Sequence, residues 1–130
     1  MRLPFFKYQA TGNDFILVDN RKDFFPKKDT KTIARLCNRR FGIGADGLIL
    51  LETDKSTDFR MVYFNADGGE GSMCGNGGRC IAAFANHLGL IGESCRFMAI
   101  DGPHQAQLGE GRVSLQMQDV TSIHDTPHYL

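Results

Sequence analysis

The chain has 130 residues, 42% of them hydrophobic, and its fifteen Lys and Arg residues balance fifteen Asp and Glu residues. This length suits one domain, and this composition excludes a disordered chain. A net charge of zero gives no reason to expect nucleic acid or a membrane as partner. No apolar stretch approaches the roughly 20 residues of a membrane span. Pro4 and Lys7 interrupt the first apolar residues, so the start lacks the apolar region of a signal peptide. We therefore predict a cytoplasmic domain.

The first third of the chain predicts two strands and a helix. Residues 3–8 and 14–19 are apolar runs that flank the turn Thr11-Gly12-Asn13, which is typical of strands joined by a hairpin. From Asp29 to Arg40 the apolar spacing is helical, and either of the first two positions offers an N-cap side chain. The glycines of Gly42-Ile43-Gly44 end this helix.

The remainder predicts more strands around a second helix. Leu48–Leu51 is a short apolar run, and Asp58–Asn65 alternates between two faces as a strand does. Residues 75–88 are apolar nearly all round, which indicates a central, buried helix. Three further strand candidates follow, the last two joined by a glycine turn at 109–111: Cys95–Ile100, His104–Leu108 and Arg112–Gln118. The pattern predicts an α+β domain over residues 1–118, followed by a connector at 119–130.

Four cysteines stand at positions 37, 74, 80 and 95, with no CxxC pair and no familiar zinc spacing. No metal site is predicted, and a reducing cytosol disfavours disulfides. Three of the four are predicted to be small buried hydrophobes. Cys80 lies six positions after Cys74, about 240° round a helix, so the two cannot share one ligand face.

Cys74 is the exception, because the glycine-rich segment from Asn65 to Cys80 joins a strand to the buried helix. Unpaired N–H groups at a helix start receive anions such as carboxylates. The same end favours a thiolate, and can lower a cysteine pKa from about 8.5 into the range of about 3.5–7.5. Proton abstraction or acyl transfer is one interpretation. A phosphate-binding turn and a purely structural turn are the alternatives.

Three sequence elements in order resemble the diaminopimelate epimerases. The first is Asn65-Ala-Asp-Gly followed by Met73-Cys74-Gly75-Asn76-Gly77 and Arg79-Cys80. Thr11-Gly-Asn-Asp-Phe15 and Gly42-Ile-Gly-Ala-Asp-Gly47 are similar to two further elements of that family. Together they cover residues 1–80, and the resemblance continues more weakly to about residue 118.

The resemblance implies a mixed sheet or barrel wrapped around a central helix, in each of two similar domains. It implies an isomerase that interconverts LL- and meso-diaminopimelate, in lysine and cell-wall precursor biosynthesis, without pyridoxal phosphate, metal or another cofactor. One cysteine from each domain would flank the α-carbon, one as base and one as acid. By position, Cys74 is the first of these cysteines, Asn13 and Asn65 bind the substrate, and the Gly75 and Asn76 backbone receives its α-carboxylate.

Two departures and several plainer interpretations accompany this assignment. Some family members have glutamine where this chain has Gly47, and serine is usual at Gly69. Asn13 could be a turn residue that tolerates left-handed backbone. Two acidic residues, Asp46 and Asp67, are expected to form turns, and Arg79 is expected to make a structural ion pair rather than a substrate contact.

The family's second domain has no counterpart in these 130 residues. Inversion needs proton removal on one face and delivery on the other, so we expect a one-domain fragment that supplies half of an active site. A homodimer that opposes two copies of Cys74 is an alternative. The rival functions are a proline racemase-like enzyme, which typically has His where Asn76 stands, and a non-catalytic anion- or phosphate-binding domain.

Overall fold

The computed structural model describes residues 2–72, 75–116 and the backbone of 128–129. Its described strands form one mixed sheet in which every strand lies beside its neighbours in sequence. The strands are β1 (Phe6–Ala10), β2 (Asn13–Asp19), β3 (Gly47–Glu52), β4 (Phe59–Asn65), β5 (Ser94–Ala99), β6 (Gly102–Gly109), β7 (Arg112–Gln116) and β8 (His128–Tyr129). The helices are α1 (Thr30–Cys37) and α2 (Gly75–His87).

The helices occupy the connections between parallel strands. β2 pairs parallel with β3, and β4 pairs parallel with β5, while the other neighbouring pairs are antiparallel. A parallel pair needs a crossover, and α1 and α2 lie in these two crossovers. The curled mixed sheet around α2 confirms the predicted α+β class.

Strands β2, β3 and β4 have apolar side chains packed on both faces of the sheet, because α2 covers one face and α1 covers the other. One apolar cluster joins α2 to Phe15, Leu17 and Ile49. The other joins α1 to the alternate residues Ile16 and Leu48. Alternation in a strand sends neighbouring side chains to opposite faces, so an apolar run such as Gly47–Glu52 feeds both clusters. The predicted two faces of Asp58–Asn65 are likewise confirmed.

The first hairpin turns at Thr11 and Gly12, whose φ angles are 49° and 86°. Two consecutive residues of positive φ are the mark of a type I′ turn, which suits the twist of a two-residue hairpin. Asn13 pairs with Ala10 as the first residue of β2. The interpretation of Asn13 as the left-handed turn residue is therefore wrong, and Asn13 is held as a strand residue.

α1 is shorter than its sequence pattern predicts. Asp29 is the N-cap, with its carboxylate accepting the backbone N–H of Thr32. The helix ends at Cys37 rather than Arg40, because Asn38 adopts extended backbone and its side-chain oxygen accepts the backbone N–H groups of Arg40 and Phe41. Side-chain capping by Asn38 competes with continuation of the helix.

α2 begins at Gly75, as predicted, and ends one residue before the predicted position 88. Eight of its thirteen residues are buried, which confirms the central helix. Within the described ranges, no helix is long and apolar enough to cross a membrane. The boundary at residue 118 and the connector at 119–130 fall almost wholly outside the described residues, and they stay predictions.

Candidate active site

Three of the predicted site residues come together at one end of the sheet. Asn13 is the first residue of β2, Asn65 is the last residue of β4, and Asn76 is in the first turn of α2. Strand register links the first two, since Gly47 of β3 pairs with both Phe15 and Asn65. Cys74, the predicted catalytic residue, lies outside the described residues.

A chain of hydrogen bonds joins the helix start to the sheet. Arg79 donates from Nη1 to Oδ1 of Asn76 over 2.7 Å. Asn76 donates from Nδ2 to Oδ1 of Asn13 over 2.6 Å, and Asn13 donates from Nδ2 to the Asp46 carboxylate over 3.2 Å. The first turn of α2 is therefore tied to β2 through side chains 63 positions apart.

The two ends of this chain fix the orientation of both amides. A guanidinium only donates and a carboxylate only accepts. Asn76 must turn its oxygen toward Arg79, and Asn13 must turn its nitrogen toward Asp46. The Asn76 nitrogen then faces the Asn13 oxygen, and a flip of either amide would set like groups against each other. Each amide has a second N–H that donates to none of the described residues, and these N–H groups are candidate donors to a ligand.

Two carboxylates and two cations lie at the end of the hydrogen-bond series that is nearest the sheet. Asp14 and Asp46 each accept the other's backbone N–H, both over 3.1 Å. Arg39 bonds both carboxylates, and Lys7 bonds Asp14. The Arg39 guanidinium holds the pKa of Asp14 well below its usual range, and Lys7 and the backbone of Asp46 add to this effect. The cluster is electrically balanced, with two carboxylates against two cations.

Tyr63 forms the wall beside Asn65. A Cβ placed on Gly47 would come within 2.8 Å of the Tyr63 ring and of the Phe64 carbonyl oxygen. A Cβ on Gly71 would come within 2.8 Å of the Asn65 amide nitrogen and 3.0 Å of the same ring. The two glycines therefore leave the space that the ring fills. At position 47, where some family members have glutamine, the Tyr63 ring and the Phe64 carbonyl leave no room for a side chain.

The other singled-out residues have identifiable structural roles. Asp67 accepts the backbone N–H of Gly69 within a turn, as predicted. Arg79 is 6% exposed and bonds Asn76, while its predicted ion pair stays a prediction. Gly75 leads α2, where a Cβ would meet only Arg79, at an ordinary distance of 3.8 Å.

The described cysteines are core residues, as predicted. Cys37, Cys80 and Cys95 are all buried. Burial raises the pKa of Cys37 to about 11 and that of Cys95 to about 12. The Cys37 and Cys95 thiols are therefore protonated at neutral pH, and a protonated thiol is a poor nucleophile. Over residues 2–72 and 75–116, no group of three potential metal ligands is found.

Arg39, Asp46 and Tyr63 are the site features that sequence reasoning missed. Asp46 was expected to form a turn, yet its carboxylate reaches across to β2. Nothing local marks Arg39 or Asp46, since their partners on β2 lie 25 to 33 positions away in sequence. The Gly47 departure was the one available signal, because a missing side chain beside a strand invites a large neighbour.

The fold is shared with a solved protein of another family. A crystal structure of a phenazine biosynthesis protein of the PhzF family, from Bacillus anthracis, superposes with a TM-score of 0.69. The match covers 88% of this chain and 40% of that one, at 20% sequence identity. At this identity the likeness concerns the fold alone.

The sequence comparisons define the family. The family model for diaminopimelate epimerase matches residues 5–123. The diaminopimelate epimerase of Flavobacterium psychrophilum is 56% identical over 98% of this chain and 51% of its own length. That of a Synechococcus species is 48% identical over 90% of this chain and 39% of its own. The chain belongs to the diaminopimelate epimerase family, and it spans about half the length of these relatives.

Proposed function

We propose that this chain supplies one half of an active site that interconverts LL- and meso-diaminopimelate, with Cys74 as one of two acid/base groups. The observation that carries the proposal is the cluster of oriented amides at the start of α2. Asn13 and Asn76 lie in hydrogen-bond contact there. Cys74 immediately precedes the helix in sequence. The family membership supports the choice of substrate.

Substrate binding follows from the donors at this end of the sheet. The backbone N–H groups of Gly75 and Asn76 lie in the first turn of α2, and a helix start suits the α-carboxylate of an amino acid. The remaining N–H groups of Asn13 and Asn76 and the exposed amide of Asn65 supply further contacts. Asp14 and Asp46 are neutralised by their cations, so they do not repel an anionic group.

The proposed reaction removes one proton from the α-carbon and returns one to its opposite face. The Cys74 thiolate takes the α-proton, and the C–H electron pair stays on the α-carbon as a carbanion. A second group gives a proton to the opposite face, which inverts the configuration. Helix N–H groups that bind the α-carboxylate stabilise the charge as it spreads onto that carboxylate. In the reverse direction the second group acts as the base and the Cys74 thiol acts as the acid.

The second acid/base group is proposed to come from a second domain or from a second copy of the chain. Cys37, Cys80 and Cys95 are packed in the core and cannot reach a ligand. A second domain, as the family resemblance implies, or a second copy of the chain would each provide the opposite face. We also propose a cytoplasmic location, where reducing conditions keep Cys74 a free thiol.

Site-resolved alkylation tests the proposed thiolate. The chain is treated with iodoacetamide between pH 5 and pH 9, and the modified peptides are quantified by mass spectrometry. We expect Cys74 to react at least about tenfold faster than each core cysteine at pH 7, because a helix start lowers a thiol pKa and burial raises it. The Cys74 rate should stay high below pH 8, where an ordinary thiol slows.

Two controls make this result decisive. Circular dichroism must show a folded chain, and Cys80→Ser should leave the Cys74 rate unchanged. A Cys74 that titrates near pH 8.5 and reacts no faster than an exposed thiol peptide would contradict the proposal. That outcome would favour the non-catalytic anion-binding function, which needs no activated thiol.

A further inference from the structure

We propose that Asp46 is a positioning residue, which sets the orientation of the Asn13 amide and so keeps the Asn13 oxygen turned toward the Asn76 NH₂ group. This inference rests on the proposed function for its consequence in substrate binding. Its structural part does not, because it concerns only hydrogen bonds among described residues. The Asp46 carboxylate would act without touching a ligand. It is the fixed acceptor at one end of the side-chain relay, the hydrogen-bonded series Arg79, Asn76, Asn13 and Asp46.

The division of labour between its two oxygens supports this role. Oδ1 of Asp46 accepts from Arg39 over 3.0 Å. Oδ2 accepts from the Asn13 amide and from the backbone N–H of Asp14. Arg39 therefore holds the Asp46 carboxylate in place through Oδ1, which leaves Oδ2 to accept the hydrogen bond from the Asn13 side chain.

Without the Asp46 carboxylate as acceptor, nothing at this end of the relay requires the Asn13 amide to keep one orientation. Asn13 donates to Asp46 and accepts from Asn76. If an amide stood at position 46, it could present either an oxygen or an NH₂ group to Asn13. The Asn13 amide would then populate both flipped states, and in one of them its NH₂ would oppose the NH₂ of Asn76. Arg79 at the far end fixes only its own neighbour.

The exposure of the group separates positioning from plain stability. The Asp46 side chain is 40% exposed and that of Arg39 is 58% exposed, so their ion pair contributes little to folding. Asp54 is a matched control. It also pairs with an arginine and also accepts backbone N–H groups, but its side chain is only 8% exposed and its partners lie outside the site.

The experiment compares Asp46→Asn with Asp54→Asn in the full 130-residue chain. The side-chain amide signals of Asn13 and Asn76 are followed by ¹H–¹⁵N NMR, and meso-diaminopimelate affinity is measured by calorimetry. We expect Asp46→Asn to shift or broaden both pairs of amide signals and to weaken affinity about tenfold. Asp54→Asn should leave the amide signals and the affinity unchanged, even where it lowers Tm more.

Asp46→Glu is the second variant, since it retains a carboxylate acceptor. It should keep the Asn76 signals nearer to wild type than Asp46→Asn does. Unmoved Asn76 signals in a folded Asp46→Asn chain would overturn the inference, and so would equal shifts in the Asp54→Asn control. Failure of the wild-type chain to bind diaminopimelate counts against the proposed function. The amide signals decide the positioning role in that case as well.

Discussion

At the scale of single residues, the site end of the sheet depends on pairs of opposite charges that are distant in sequence. Asp14 and Asp46 are brought together by the β2–β3 pairing and would repel without Arg39 and Lys7. Each carboxylate also accepts the other's backbone N–H. The same contacts that hold the strands in register therefore hold the carboxylate that orients Asn13.

Asp14 should make the protein sensitive to acid. Its folded-state pKa is depressed, chiefly by Arg39. Its stabilisation is thus fully present above the ordinary carboxyl value of about 3.9, and is lost as pH falls toward the folded-state pKa. We expect Asp14→Asn to lower the free energy of unfolding by about 1 to 2 kcal/mol at pH 7. The difference from wild type should shrink in acid.

Urea denaturation at intervals from pH 2.5 to pH 7 measures this effect. Asp23→Asn is the control, because Asp23 pairs with Lys27 over 3.8 Å and its side chain is 79% exposed. The free energy of unfolding of Asp23→Asn, plotted against pH, should run parallel to that of wild type. A constant gap between wild type and Asp14→Asn over the whole range would show that Asp14 does not contribute through its charge.

Residue chemistry was predictable where it depended on neighbours in sequence. The core assignment of Cys80 followed from helix geometry, and Asp67 followed from its turn. The roles of Arg39, Asp46 and Tyr63 could not be predicted, since their partners are set by sheet register. The amide of Asn13 faces α2 only because a two-residue turn places Asn13 on β2 rather than in the turn.

At the scale of elements, the end of α1 and the following loop form one unit. The N–H groups of Ile43 and Gly44 bond the Leu36 carbonyl, and that of Ala45 bonds the Cys37 carbonyl. These bonds satisfy carbonyls that a helix end leaves unpaired. The loop thereby delivers Asp46 to β2. Sequence patterns located the helix but not this end, because the basic residues after Cys37 fit a helix equally well.

Gly42 is the tightest point of this unit. A Cβ there would collide with the backbone carbonyl oxygens of Arg35 and Leu36. We expect Gly42→Ala to destabilise the protein by roughly 2 to 3 kcal/mol, since backbone atoms cannot move aside cheaply. Gly92→Ala, where a Cβ meets nothing within 4 Å, should change stability by less than about 0.5 kcal/mol.

Denaturant unfolding of the two variants measures the comparison. The Asn13 and Asn76 amide signals of folded Gly42→Ala should also move, because the loop carries Asp46. Equal stability of the two variants would contradict the interlocked helix end, and would imply that the loop relaxes without cost.

A second steric prediction concerns the wall beside Asn65. Gly71→Ala should displace the Tyr63 ring or the Asn65 amide, which a Cβ would approach within 3.0 Å and 2.8 Å respectively. We expect about a tenfold loss of diaminopimelate affinity. Gly69→Ala, whose Cβ would meet only an Asp67 oxygen at 3.3 Å, is the matched control in the same turn. Calorimetry that finds the two variants equal would remove Tyr63 and Asn65 from the binding surface.

At the scale of the whole molecule, two helical crossovers give the fold its asymmetry. α2 is enclosed by the curled sheet, whereas α1 covers the opposite face of β2–β4. The apolar character of α2 predicted the enclosed helix directly. The parallel pairing of β2 with β3 and of β4 with β5 was not predictable from patterns alone, because alternation does not reveal strand direction. The family resemblance supplied the mixed sheet.

The most direct test joins this chain to a complementary half. Because the Flavobacterium psychrophilum diaminopimelate epimerase aligns with this chain over 51% of its length, its aligned half can be replaced by this chain. In D₂O, the hybrid should interconvert LL- and meso-diaminopimelate and place deuterium on the α-carbon. Cys74→Ala should reduce the rate by about 10² to 10⁴-fold, while Cys80→Ala should not. A folded Cys74→Ala hybrid that turns over at the unsubstituted rate would contradict the assignment of Cys74.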